Sequence, residues 1–402
     1  MPIDKSPEIQ TSTLDVSLVW LGAGISLAEI LAGTEFASLG FEQGLLAILL
    51  GHLIGGILFL LAGLVSARTG KTAMMAAQNS FGQKGASLFA LLNIVQLLGW
   101  IAVLNFDGAL AANGIWGIGV PAWCVIIGLL IAAWVAVGLN RVKWISRVAI
   151  VALLLLTFAI CATFIGGAYS LGSEVAPLLS FGAAVELAVA MPLSWLPMIG
   201  DYTAKAEKPI RASIISAIAY SAVSIWMYLI GMIMMLVSGN TDIARAVIAT
   251  GLGAIGLLVC VFSTVTTNFV AAFSSGVSFA TMAKPFGITL SPKAAGTAIA
   301  ILAIPASIVL PLGDITEFLY LIGSVFAPMA AILIADNFIL KTDNSSSAFN
   351  ARNLAIWLAG FFVYRVFLGI ETPVGSTLPS MLIVVAISVV CNAIVRKFAH
   401  GR

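Results

Sequence analysis

Six consecutive residues, Ser263-Thr264-Val265-Thr266-Thr267-Asn268, place five polar side chains inside an otherwise apolar stretch. Hydroxyls and carbonyls are the groups with which a hard monovalent cation replaces its hydration shell. Serines and threonines in apolar helices also bond to their own backbone or bridge to neighbours, so the cluster alone fits both roles. Glu29 is a carboxylate near the middle of another apolar run. A charge at that depth in a bilayer costs on the order of 3 kcal/mol unless partnered. It suits a solute's hydrogen-bond donor, an exchangeable proton, or a neutral tie between helices. Trp100, beside Gly99, and Trp195, between Pro192 and Pro197, lie deep in their runs, whereas most membrane tryptophans sit at the interfaces. Two such indoles can stack on a flat aromatic solute or fill core. Asp107 lies nearer the end of its run, within reach of interfacial water.

The elements that must position these groups follow from composition. Of 402 residues, 61% are hydrophobic and 9% charged, against roughly 25% charged in a soluble domain, which excludes a water-soluble enzyme. Twelve apolar blocks run at roughly 16–39, 43–67, 85–113, 119–139, 148–169, 182–201, 211–237, 248–280, 294–311, 314–340, 353–370 and 377–395. At about 20 residues per helical span they leave only short loops, too small for an added catalytic domain. Two blocks are interrupted. The first carries Gly22, Gly24 and Gly33 around Glu29, and the sixth reads Met191-Pro192-Leu193-Ser194-Trp195-Leu196-Pro197. Broken backbone in a membrane is tolerated only where it lines a cavity or is buried in protein. These blocks open two successive sets of five that start on opposite sides of the bilayer, an inverted repeat, and paired breaks of this kind point to a transporter's midplane site. The domains expected are a tail at 1–15, a first repeat at 16–170, a second at 182–340 and two accessory spans at 353–395.

Alternating the twelve spans across the bilayer sorts the cations. Seventeen of the 19 lysines and arginines fall on one side, leaving only Arg245 and Arg365 on the other. Cytoplasmic loops retain Lys and Arg, so both termini are expected in the cytoplasm of a cell (inner) membrane protein. The polar first 15 residues carry one cation, Lys5, and precede no clear cleavage site, so the N-terminus is expected to be retained. A net charge of +2, with its cations spread between spans, gives nucleic-acid binding no support. Gly70-Lys71-Thr72 ends like a phosphate-binding loop, but Val65 stands where that pattern needs its first glycine. Cys124, Cys161, Cys260 and Cys391 lie singly in apolar stretches and read as packing residues. The two histidines, His52 in the second span and His400 in the C-terminal tail, do not form a catalytic or metal cluster. No cofactor is expected.

Taken together, Leu21-Gly22, Gly99-Trp100, Asp201-Tyr202-Thr203, Thr266-Thr267-Asn268, and Phe326-Ala327-Pro328 followed by Asp336 resemble the nucleobase:cation symporter-1 family, which contains the cytosine and hydantoin permeases. The likeness covers nearly the whole chain. It implies an all-α polytopic membrane protein of leucine-transporter-like fold, with five plus five inverted helices and two more appended. The short length and the Pro192–Pro197 variant look most like the branch thought to import hydroxymethylpyrimidine, a thiamin precursor. By resemblance, sodium would be held by backbone carbonyls of Gly22, Ile25 and Ser263 with the hydroxyls of Thr266 and Thr267. The substrate would be held by Trp100, Asn268, Ser26 and the sixth-span break, including Ser194. Relatives place an aromatic at the position of Pro192, so the second stacking role moves to Trp195. Glu29 matches no residue of the better-known permeases, and is read here as an acceptor for a substrate amino group.

The function expected is therefore secondary active import of a small aromatic pyrimidine by cation symport, with sodium or protons as the coupling ion. Its partners would be that solute and the lipid bilayer, with no nucleic acid and no obligate protein partner. An amino-acid or other amine symporter on the same fold is the alternative, and would surround its site with polar groups in place of paired indoles. A membrane-embedded enzyme lacks a catalytic constellation. A channel would explain neither the inverted repeat nor the missing pore loops.

Overall fold

The structure is a computed structural model that describes residues 11–166, 179–239, 241–249, 251–310 and 315–400. Among the described residues it is helical, with one isolated bridge, Thr11 to Ala206, in place of any sheet. Every apolar block has become a helix or a broken pair. The first set comprises α1 (Thr13–Gly24) with α2 (Leu27–Thr34), α3 (Gly40–Thr69), the single turns α4 (Ala73–Ala76) and α5 (Gln78–Phe81), α6 (Gln83–Ile115), α7 (Val120–Val137) and α8 (Leu139–Gly166). The second comprises α9 (Phe181–Trp195) with α10 (Ile199–Thr203), α11 (Pro209–Ser238), the short α12 (Ile243–Ala249), α13 (Gly253–Ala283), α14 (Pro292–Val309) and α15 (Ile315–Ile334). Two more, α16 (Ala351–Phe367) and α17 (Thr377–His400), follow.

Eight stretches among the described residues are long and apolar enough to cross a bilayer, and Thr13–Gly24, Arg147–Thr163 and Phe181–Trp195 are shorter apolar helices. The twelve blocks thus do not all qualify unaided: breaks divide the first and sixth, and α16, with Arg352, Asn353 and Arg365, belongs to neither group. Residues 1–10 of the expected tail, the end of the first repeat near 170 and the junction at 311–314 lie outside the described residues. Helix α1 starts at Thr13, three residues before the expected boundary, where Ser12 Oγ accepts the Asp15 N–H at 3.1 Å. Arg147 then pairs with Asp15 at that end.

The helices sort into two groups. α1, α2, α3, α9, α10 and α11 pack on one another as a bundle, and α6, α7, α13 and α14 pack as a second unit. Each draws corresponding members from the two sets. α3 shows how sequence directs this. Leu46, Leu49, Leu53 and Ile57 form an exposed stripe, whereas Gly44, Gly51 and Gly55 face inward. In lipid the large residues gain nothing by turning inward, and small ones let backbones approach. A close approach joins α2 to α11: a Cβ on Gly33 would strike the Tyr228 backbone, and one on Gly231 would strike the Ile30 carbonyl.

Both breaks exist. Ile25 (φ −89°, ψ 84°) and Ser26 (φ −139°, ψ 158°) separate α1 from α2, and Ser26 Oγ caps α2 by accepting the Glu29 N–H at 3.3 Å. In the sixth block the break falls at the second proline, Pro197, and not at the first. Pro192 stays inside α9, its ring packed on Gly55, and the helix ends only at Trp195. The turn comes at Leu196–Met198, where Leu196 N–H bonds Leu193 O at 3.1 Å and Met198 N–H bonds Trp195 O at 3.0 Å. A transmembrane helix absorbs a proline when neighbours accommodate it, and Gly55 is that neighbour.

Two further buried clusters lock the accessory helices. Glu186 of α9 accepts from Tyr364 OH, Thr377 Oγ1 and Ser376 N–H at 2.6 Å each, and from Thr377 N–H at 2.7 Å. Asp336 accepts from Asn353 Nδ2 at 2.8 Å and from Thr342 Oγ1 at 2.9 Å.

Candidate functional site

Where the break of the first span meets α13, the carbonyls that the break exposes are met by hydroxyls. Ser263 Oγ donates to Ile25 O at 3.2 Å, Thr267 Oγ1 to Gly22 O at 3.4 Å, and Thr266 Oγ1 to Ser263 O at 2.9 Å. All five residues expected around a cation are therefore drawn into one buried cluster of neutral oxygens. Hydroxyls and unwound carbonyls without a carboxylate suit a monovalent ion, since a higher charge would go uncompensated.

Beside that cluster, aromatic rings fill the seam between the two units. The indoles of Trp100 on α6 and Trp195 on α9 are near parallel, 18° apart, with centroids at 5.9 Å. Trp20 of α1 meets Trp195 edge-on at 6.1 Å, Tyr220 of α11 lies 6.4 Å from Trp195, and Phe318 of α15 lies 5.4 Å from Trp100. A ring inserted between two others needs about 7 Å, twice the optimal carbon–carbon separation. The expected sandwich thus requires the indoles to part by about 1 Å or more. They face each other across the two units, so only a displacement of one unit against the other would open that gap.

Polar atoms around this pair are left without partners: Trp20 Nε1, Trp100 Nε1, Trp195 Nε1, Gln96 Oε1 and Asn268 Oδ1 are all buried and unbonded. Proteins leave few such atoms, and each calls for a reason. Here three donors and two acceptors gather around one aromatic pair. Asn268 is anchored there by its Nδ2, which donates to Ile101 O at 3.4 Å. Gln96 is fixed by its Nε2, which donates to Asn93 Oδ1 at 2.8 Å and Ser194 O at 3.0 Å.

Gln96 and Asn93 did not stand out in the sequence. Asn93 Nδ2 donates to Ser278 Oγ at 2.8 Å and to Pro197 O at 3.4 Å, so the two amides clasp carbonyls of the sixth-span break. The signal available was their spacing: Asn93, Gln96 and Trp100 follow at three and four residues, one helix face. Ser194 and Ser26 are present but their hydroxyls are engaged. Ser194 Oγ donates to Met191 O at 2.7 Å, and Ser26 Oγ is the α2 cap.

Glu29 is placed differently from the expectation of a substrate contact. It turns into the bundle, where Oε1 lies 2.7 Å from Tyr220 OH and Oε2 lies 2.7 Å from Ser224 Oγ. Ser224 Oγ is in turn 2.7 Å from His52 Nε2, and His52 Nδ1 is 2.8 Å from Ile48 O. An amino group on a solute would have to reach it inside the bundle, beside these partners. His52, assigned no role from sequence, is therefore part of a buried polar chain spanning α2, α11 and α3.

Other sequence features resolve simply. Gly70 is the left-handed cap of α3 (φ 65°), and Lys71 Nζ donates to Asn79 Oδ1 at 2.6 Å. Asp201 Oδ1 accepts the Ala73 N–H at 3.0 Å, and Tyr202 OH donates to Val270 O at 3.0 Å across the seam. Asp107 lines a cavity of about 360 Å³ with Leu31, Asn113 and Asp242. The four cysteines are free, and among the described residues no group of His, Cys, Asp and Glu could hold a metal ion.

Known proteins resemble this chain in sequence and in fold. A family of permeases for cytosine/purines, uracil, thiamine and allantoin matches residues 2–353. The cytosine permease of Escherichia coli O157:H7 is 27% identical over 295 residues, 72% of this chain and 70% of the relative. The purine-cytosine permease of Emericella nidulans is 28% identical over 213 residues, 50% of this chain and 41% of the relative. Among solved structures, the nucleobase-cation-symport-1 transporter Mhp1, closed with bromovinylhydantoin bound, superposes with a TM-score of 0.80 at 20% identity, covering 97% and 94% of the two chains. A sodium-coupled sialic acid symporter in a substrate-bound outward-open state superposes at 0.69 with 14% identity, covering 94% and 89%. The fold is thus leucine-transporter-like, and the chain belongs to the cytosine/purine, uracil, thiamine and allantoin permease family, a group of multi-pass membrane transporters and not of enzymes.

Proposed function

We propose that the protein is a secondary active transporter that imports a small aromatic pyrimidine, hydroxymethylpyrimidine-like or cytosine-like, with sodium as a coupling ion. The observation that carries this reading is the set of unbonded polar atoms around a near-parallel indole pair: Trp20, Trp100 and Trp195 Nε1, Gln96 Oε1 and Asn268 Oδ1. A pyrimidine offers a flat face for the indoles and, on its edge, acceptors for N–H groups and donors for amide oxygens. An amine or amino-acid solute would need a countercharge at the seam, and the only carboxylate expected near it, Glu29, is turned away.

Sodium would bind through the carbonyls of Gly22, Ile25 and Ser263 and the hydroxyls of Thr266 and Thr267. That cluster joins the bundle to α13, so an ion held there favours one relation of the two units over others. Alternating access would then be rocking of the bundle of α1, α2, α3, α9, α10 and α11 against α6, α7, α13 and α14, within twelve crossings and with both termini cytoplasmic. Radiolabelled uptake into proteoliposomes tests the reading, using cytosine, uracil, hydroxymethylpyrimidine and a neutral amino acid with and without a sodium gradient. Uptake of a pyrimidine driven by inward sodium supports it. Uptake of the amino acid alone overturns the substrate class, and pyrimidine uptake indifferent to sodium overturns the ion.

A further inference from the structure

The polar chain in the bundle contains more contacts than its ordinary hydrogens can fill. Three gaps run in series: Ile48 O to His52 Nδ1 at 2.8 Å, His52 Nε2 to Ser224 Oγ at 2.7 Å, and Ser224 Oγ to Glu29 Oε2 at 2.7 Å. Each gap needs one hydrogen between its heavy atoms, because two facing lone pairs at such distances repel. The Ile48 carbonyl only accepts, so Nδ1 carries a hydrogen there. A neutral imidazole has then spent its only N–H, and Nε2 must accept the hydroxyl hydrogen of Ser224. The third gap is left with nothing unless a further proton is present. Tyr220 OH supplies the other carboxyl oxygen, Oε1, at 2.7 Å and does not relieve the deficit.

The geometry points to a proton-binding site formed by Glu29, Ser224 and His52, which holds one added proton in this packing and exchanges it in the transport cycle. The proton has two resting places. On Glu29, the acid donates from Oε2 to Ser224 Oγ and imidazole is neutral. Passing inward, the Oε2–H bond breaks as Ser224 Oγ gains that hydrogen, and the Ser224 O–H bond breaks as His52 Nε2 gains the other, leaving carboxylate and imidazolium. Both arrangements have the same total charge.

Among the described residues no lysine or arginine pairs with Glu29, whose partners are Tyr220 and Ser224. The titratable residues on the elements packed about the chain are Tyr220 and Tyr228 on α11, Glu35 just after α2, Glu42 in the first turn of α3, Asp107 and Lys84 on α6, Glu186 on α9, Asp201 and Tyr202 on α10, Glu317 and Tyr320 on α15, Asp15 on α1, and Arg141, Lys143, Arg147 and Cys161 on α8, with Arg68 and Arg211 at the far ends of α3 and α11. Tyr228 packs its ring edge-on to His52 at 4.8 Å. Glu186 is committed to α16 and α17, and Arg68 lies over Phe338. Ser26, Glu29's cap partner, adjoins the cation cluster at Ile25, so loading at one place reaches the other through a single turn.

The coupling to transport rests on the proposed function, whereas the bound proton does not, and two measurements separate them. The first uses the full chain in lipid nanodiscs at neutral pH. With His400→Gln, His52 is the only imidazole, so nitrogen-15 resonance reports its protonation and infrared spectroscopy reports a buried carboxylic acid, assigned by its loss in Glu29→Gln. The expected result is a protonated Glu29 with imidazole bearing Nδ1–H, or an imidazolium with ionised Glu29; neutral imidazole beside ionised Glu29 overturns the site. The second is cytosine accumulation in proteoliposomes under imposed pH gradients. With one coupled proton, accumulation changes about tenfold per pH unit, and Glu29→Gln, which keeps a donor toward Ser224 but has no proton to exchange, brings that ratio to one. A purely structural Glu29 would scale uptake equally at every gradient, and that result, or a wild-type ratio of one, overturns exchange.

Discussion

The Glu29–Ser224–His52 chain inside the bundle and the seam that the bundle shares with α6 and α13 are both buried, yet they treat polar atoms in opposite ways. In the bundle, Glu29 has both oxygens engaged, by Tyr220 and Ser224, and His52 has both nitrogens engaged. At the seam, Trp100 Nε1, Trp195 Nε1, Gln96 Oε1 and Asn268 Oδ1 have no partner. Desolvating a polar group without a hydrogen bond costs about 1 to 3 kcal/mol. The bundle leaves Tyr228 OH, Ser216 Oγ and Ser221 Oγ unbonded, scattered along α11, whereas the unbonded atoms of the seam gather beside one indole pair, an arrangement suited to something that enters there. The same contrast explains why Glu29, the loudest residue in the sequence, is not at the seam: a carboxyl at that depth needs several fixed partners, and the bundle provides them.

The comparison can be broken by substitutions, and the largest effect is expected inside the bundle. Glu29→Leu strands the Tyr220 hydroxyl, at about 1 to 3 kcal/mol, leaves Ser224 with His52 as its partner, and should lower the unfolding temperature of the purified protein clearly. An unchanged unfolding temperature would show that the polar chain does not hold the bundle. At the seam, Trp100→Ala should weaken pyrimidine binding about 5- to 150-fold, from the roughly 1 to 3 kcal/mol of one stacking contact. Trp100→Phe should recover part of that loss. Equal damage from both would point to lost volume and not to stacking, and equilibrium titration distinguishes them.

A comparable effect is expected where the units meet around the proposed ion. Sodium and pyrimidine must raise each other's affinity by one shared factor, typically about 5- to 150-fold. Thr266→Ala combined with Thr267→Ala should reduce that factor to one and leave weak, sodium-independent binding, read by titrating pyrimidine with and without sodium at fixed pH. The smallest effect belongs to the turn that follows α3. Lys71→Ala loses a partly exposed bond to Asn79, and should change stability by less than about 1 kcal/mol with no effect on uptake.

Much of the architecture was legible because bilayers impose simple demands: every apolar block became helical, and the glycines around Glu29 marked a true break. Ser26-Leu27-Ala28-Glu29 even has the spacing of a capped helix start, which locates that break to the residue. The sixth-span break was legible only roughly, because whether a proline ends a membrane helix depends on its neighbour, here Gly55, more than a hundred residues away. The oxygen cluster of α13 was visible since its members are consecutive. The partners of Glu29 were not. Ser224 and Tyr220 are unremarkable on α11, and His52 stands alone on α3; only the packing of three helices makes them one chain. Gln96 was hidden similarly, its meaning set by carbonyls that the break leaves for it to bind.

The central claim is that the unbonded atoms of the seam are ligand contacts, and Asn268 tests it most directly. Asn268→Leu removes an oxygen that has no partner in the protein and one long bond to Ile101 O, so the fold should lose little. Isothermal titration of cytosine and hydroxymethylpyrimidine into this variant and the wild type, each with its unfolding temperature recorded, is the measurement. The account predicts an affinity lower by about 5- to 150-fold, the value of one buried hydrogen bond to the ligand, with an unfolding temperature close to that of the wild type. Unchanged affinity in the folded variant would contradict it.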